Sequence, residues 1–94
     1  MYEAELYRLR GDLLLTLNKH AEAETEFQRA LTTAHRQQAR YWQLRAATSL
    51  AGHWRDRGRQ AEARDLLAPI YRWFTEGFDT SDLKAAKALL DGLS

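Results

Sequence analysis

The feature that most constrains this 94-residue chain is an internal repeat. A helix-turn-helix pattern occurs twice, 40 residues apart. Gly11 aligns with Ala51, Leu14 with Trp54, Asn18 with Gly58, Ala23 with Ala63, Phe27 with Leu67 and Ala30 with Ile70. The tripeptide Ala21-Glu22-Ala23 returns unchanged as Ala61-Glu62-Ala63. Self-similarity at roughly 20–50 residues marks stacked supersecondary units, each burying its apolar face on its neighbour. Short helical stacks of this kind usually present surfaces to other molecules.

Apolar residues fall at helical spacing throughout. Tyr2, Leu6, Leu9, Leu13 and Leu17 recur every three or four residues, the period of one helix face, and predict a first helix from about Glu3 to Leu17. Asn18 and Gly58 stand where the chain must reverse. Both residue types tolerate the left-handed backbone that ends helices. A second helix starts near His20, with Ala23, Phe27, Ala30, Leu31 and Ala34 inward. No proline or glycine separates residues 20 and 51, yet the period places a turn near Gln37–Ala39; one long continuous helix is the alternative.

The third helix covers about Arg40 to Arg57, with an inner stripe of Tyr41, Leu44, Ala47, Leu50, Ala51 and Trp54. A fourth begins near Gln60, and Pro69 inside it predicts a kink. Residues Glu76–Asp79 read as a loop. Thr80 or Asp79 then caps a last helix whose apolar face is Leu83, Ala86, Leu89, Leu90 and Leu93, ended by Gly92. Trp54 reads as core, and Trp42 and Trp73 as packed on neighbouring elements.

The spacing of Gly11, Leu14, Ala23, Phe27 and Ala30, repeated through Ala51, Trp54, Gly58, Ala63 and Leu67, resembles the tetratricopeptide (TPR) pattern. Ile70 departs from it where alanine is usual, Tyr7 where tryptophan is common, and His35 and Thr75 where proline is common. The period also exceeds the family's. The resemblance implies an all-α fold: a short right-handed TPR-like solenoid of two antiparallel helix pairs, repeat one about 4–37 and repeat two about 44–77, with a capping helix about 81–91. A narrower resemblance is to the C-terminal TPR-like tail of large bacterial signalling proteins that carry a class III adenylate or guanylate cyclase domain, or a DNA-binding domain, followed by an ATPase module. It rests on the stretches Ala4–Leu15 and Leu67–Thr80 and on the run ending Lys84-Ala85-Ala86-Lys87-Ala88-Leu89-Leu90. It implies a regulatory segment of a larger protein.

Family likeness places a groove along the first helix of each repeat. It points to Glu5, Arg8, Asp12, Leu15 and Thr16, and to Arg45, Thr48, Gly52, Arg55 and Asp56. Arg8, Arg45 and Arg55 would hold carboxylates of an extended peptide; the bland reading of each is an intrahelical ion pair such as Asp12 with Arg8. Arg8, Asp12 and Ser49 stand at positions of the Lys/Asn clamp by which some members hold chaperone tails, which argues against that role. Leu13, Leu14 and Leu15 are consecutive and cannot all face one partner. Leu14 and Leu15 therefore mark an apolar N-terminal end for another domain, a peptide or a second copy in a homodimer.

Charge is unevenly spread. Residues 27–72 carry Arg29, Arg36, Arg40, Arg45, Arg55, Arg57, Arg59, Arg64 and Arg72 and no lysine. Nucleic-acid binding through this middle is the alternative function. Catalysis is not expected. No phosphate loop, dinucleotide loop or His-Glu-x-x-His motif occurs, and Thr48, Ser49, His53 and Asp56 lie on one regular helix, without the strained turn a nucleophile needs. His20, His35 and His53 are far apart in sequence and read as solvent-facing, so no metal or cofactor is expected. There is no cysteine, no apolar run near the ~20 residues that span a bilayer, and no basic-then-apolar secretory start, so a cytoplasmic setting is the default.

Overall fold

The computed structural model describes residues 3–74 and 80–93. These form five helices: α1 (Glu3–Thr16), α2 (His20–Arg36), α3 (Arg40–Asp56), α4 (Gln60–Trp73) and α5 (Ser81–Leu93). The protein is all-α.

The first three turns are one device used three times. Asn18, Gln38 and Gly58 adopt positive φ of 60°, 54° and 79°. They fall 20 residues apart, so the 40-residue repeat divides into equal helix-plus-turn halves. In each turn the residue after the left-handed one reaches back five positions. Lys19 N–H donates to Leu14 C=O (2.9 Å), Ala39 to Ala34 (2.9 Å) and Arg59 to Trp54 (2.8 Å). This is the Schellman closure, which satisfies carbonyls at the end of one helix. The same residue opens the next helix, and none of Lys19, Ala39 or Arg59 supplies a side-chain cap. Gln38 settles the boundary between α2 and α3 without glycine or proline.

Each helix lies against its chain neighbour, and α1, α3 and α5 also contact one another in order along one side. α3 therefore touches all four other helices. The molecule is 19 Å across its shortest dimension, about two helix diameters. Phe27, Leu44, Leu50 and Leu67 are fully buried, and Ala23, Ala47, Ala51, Ala63 and Ala86 surround them. The small residues let backbones approach; the large ones fill what remains. Thr80 Oγ1 accepts from Leu83 N–H (3.3 Å) and starts α5, whose Leu83, Ala86, Leu89 and Leu93 are buried. α5 runs on through Gly92 to Leu93.

Several expectations need correction. The row of Leu6, Leu9 and Leu13 on α1, with Leu17 just beyond its end, is exposed, by 48–61%. The buried side of α1 is Ala4 and Gly11, with Leu14 and Leu15 partly covered against the core. Close approach of α2 admits only small residues there. Tyr41 points outward while its neighbour Trp42 is half-buried. Trp73 is exposed, edge-on to Phe74 at 5.2 Å and covered on one face by the Arg40 guanidinium at 4.6 Å. Pro69 lies within α4, on its exposed side. The expected loop at Glu76–Asp79 falls outside the described residues.

Candidate functional site

The odd-numbered helices bring charged side chains to one surface. α1 places Glu5, Arg8 and Asp12 within two turns, on the side facing α3. α3 presents Arg45, Thr48 and Ser49, and the first turn of α5 adds Asp82. Glu5 sits between two guanidiniums, one carboxylate oxygen against Arg8 and the other against Arg45. Arg8 Nη1 also donates to Asp12 Oδ2 (3.1 Å) and to Ser49 Oγ (3.5 Å), and Arg45 Nε lies 3.4 Å from Asp82 Oδ1. The chain Asp12–Arg8–Glu5–Arg45–Asp82 thus stitches three helices together.

Arg8, Arg45, Thr48, Ser49, Asp82 and Ala85 line a cleft of about 190 Å³ beside this network. Of the groove residues expected from sequence, Arg8, Arg45 and Thr48 line it, Glu5 braces both arginines, and Asp12 pairs with Arg8 outside the lining. Leu15 turns toward the core instead. Arg55 and Asp56 pair with each other at 3.1 Å, exposed at the end of α3 and outside the cleft. Thr48 Oγ1 donates to Leu44 C=O (2.7 Å). An incoming peptide carboxylate would have to displace Glu5 from both guanidiniums.

The expected apolar end exists, with different residues. Leu14 and Leu15 belong partly to the interior, so the exposed end is Leu6, Leu9, Leu13 and Leu17. At roughly 100° per residue these point away from Ala4 and Gly11. α1 is therefore apolar on two opposite sides.

A third cluster was not anticipated. His20 and His53 are stacked, with ring centroids 5.6 Å apart and planes 10° apart, and Phe27 tilts against His53. His53 is buried, contrary to its reading as solvent-facing. Burial lowers its pKa, and the nearby cations Arg57 and Arg59 and the His20 ring act in the same direction against Glu24. Glu24 Oε1 accepts from Trp54 Nε1 (2.7 Å) and from Arg59 Nη1 (3.2 Å). The Arg59 guanidinium lies 4.7 Å from the Trp54 ring centroid and also bonds Glu62 at 2.7 Å, holding that carboxyl below its usual range. His35 remains exposed. The signal for this cluster was reflection about Gln38, not the 40-residue shift. Folding α2 back on α3 sets residues 20–24 opposite residues 52–56.

Among the described residues no group of three or more potential ligands is placed to hold a metal ion, and no helix is long and apolar enough to cross a membrane. Comparisons with protein-family models, with curated proteins and with solved structures return no match for this chain.

Proposed function

We propose that this chain is a protein–protein docking module, a short right-handed TPR-like solenoid that belongs to a larger bacterial cytoplasmic signalling protein and performs no catalysis itself. The observation that carries the docking reading is the exposed row Leu6, Leu9 and Leu13 on α1, continued by Leu17 in the turn after it. Four half-exposed leucines offer a patch on the order of 400 Å², the size at which patches on single chains tend to be functional. The resemblance to signalling-protein tails supports the wider setting.

The repeat supports this reading of the row. Shifted by 40 residues, Leu6, Leu9 and Leu13 correspond to Ala46, Ser49 and His53 of α3. Those three are covered: Ser49 is half-buried and bonded to Arg8, and His53 stacks on His20. A face that is covered on α3 is open on α1. Leucine in place of alanine and serine holds a partner helix farther out. The spacing of three, four and four residues suits a helix-on-helix seam.

For the isolated chain the occupant is a second copy, α1 against α1. The opposite end offers no apolar match, because the exposed side of α5 carries Lys84 and Lys87. Sedimentation equilibrium tests this. A mass rising from monomer to dimer with concentration is expected, and Leu9→Glu with Leu13→Glu should keep the chain monomeric at unchanged helicity. A monomer at millimolar concentration overturns the reading.

A further inference from the structure

We infer that the cavity where α2 begins is a binding site for a phosphate-type oxyanion. His20, Ala21, Glu24, His53, Arg57 and Arg59 line a space of about 250 Å³. That holds a tetrahedral anion and a few waters, given roughly 30 Å³ per water. Its position and residues are independent of the leucine row.

Four observations converge on an anion. First, α2 opens without a side-chain cap, and its first backbone bond is Ala23 N–H to Lys19 C=O (2.9 Å). The N–H groups of His20, Ala21 and Glu22 therefore have no acceptor among the described residues, and they sit at the positive end of a 17-residue helix. Second, His53 is only 5% exposed, lines the cavity, and its imidazole makes no hydrogen bond among the described residues. Third, His20 Nδ1 is buried with no hydrogen-bond partner. Fourth, Arg57 follows α3 directly and has no ion pair among the described residues, although it lines the same space.

The one carboxylate in the wall does not oppose this. Glu24 is held by Trp54 Nε1 and Arg59, so its charge is already answered. What remains unanswered is donor capacity: a guanidinium fork, two imidazoles and the helix amides. They come from the start of α2, the last turns of α3 and the turn after it. A tetrahedral anion can use such donors from several sides at once.

The test is an NMR titration with the imidazole resonances of all three histidines as probes. Sodium phosphate is added at fixed pH 6.5, against sodium chloride at matched ionic strength. Saturating shifts are expected at His20 and His53 but not at the exposed His35. Arg57→Ala removes an exposed side chain and leaves the fold intact. It should weaken phosphate about tenfold, the loss of one charge-assisted bond. O-phosphoserine forms the second arm: a matching response means the site accepts phosphate esters, and a response to inorganic phosphate alone restricts it to the free anion. Equal drift in chloride, equal shifts at His35, or an unchanged Arg57→Ala titration each overturn the inference.

Discussion

Gly11 of α1 lies directly beneath the ring of Phe27 of α2. A Cβ on Gly11 would come within 2.5 Å of Phe27 Cε1 and 2.6 Å of Cδ1. At the matching positions of the second unit stand Ala51 and Leu67, both fully buried in the same core. The two units thus fill one pair of positions in two ways, glycine with a ring and alanine with a branched chain.

Gly11→Ala gains about 1 kcal/mol of helix propensity and incurs overpacking of typically 1–3 kcal/mol. The ring is fully buried and cannot move freely, so the clash wins. Net destabilisation of about 1 kcal/mol is expected in urea unfolding. Adding Phe27→Leu reproduces the second unit and should recover part of that loss. A double variant less stable than the additive sum would contradict the equivalence.

Gln38 adopts φ of 54° where Gly58 adopts 79° at the matching turn. A side chain in that region costs roughly 1–2 kcal/mol, and glycine removes the cost. Gln38→Gly should stabilise the protein by about 0.5–1 kcal/mol after the added flexibility of the unfolded chain is subtracted. A lower Tm than the parent would show that the Gln38 side chain makes contacts worth more than its strain.

His53 binds its proton less readily folded than unfolded, since burial lowers its pKa from 6.5. The unfolded chain then binds more protons as pH falls, and stability falls with it. The contribution is complete above about pH 6.5 and is lost as pH drops through the lower folded value. The Tm of the parent should fall more steeply between pH 7 and pH 5 than that of His53→Gln. Parallel curves would mean that His53 titrates alike in both states.

Glu5 joins Arg8 and Arg45 with side-chain exposures of 17%, 14% and 35%. Removing its charge leaves two partly covered guanidiniums short of an acceptor. Glu5→Gln should cost about 1–2 kcal/mol after allowance for solvent screening. Asp56→Ala breaks only the exposed pair with Arg55 and should change stability by no more than about 0.5 kcal/mol. Equal effects would place Glu5 among ordinary surface charges.

Periodicity and turn chemistry made the helices legible. Asn18 and Gly58 marked two turns; the 40-residue period placed a third only near Gln37–Ala39, with one continuous helix as the alternative, because Gln38 carries no turn signal of its own. The α5 stripe was equally plain, because Leu83, Ala86, Leu89 and Leu93 share one face and Lys84 and Lys87 the other. The side of α1 that points inward was not legible. Leu6, Leu9, Leu13 and Leu17 form the stronger apolar row, yet Ala4 and Gly11 are the buried pair. Periodicity reports that a helix has an apolar face; it does not report which neighbour arrives to cover it.

The order of the helices and the turns at Asn18 and Gly58 follow from the sequence alone. Each depends on local backbone preference and on spacing along one helix, which are written residue by residue. Tertiary structure alone decided that Glu5 would bind two arginines on different helices, that His20 would stack on His53, and that the leucine row of α1 would face outward. These depend on how closely α1, α2 and α3 approach. That distance is set by the fit of Phe27 against Gly11 across the helix pair, a relation between residues distant in the chain.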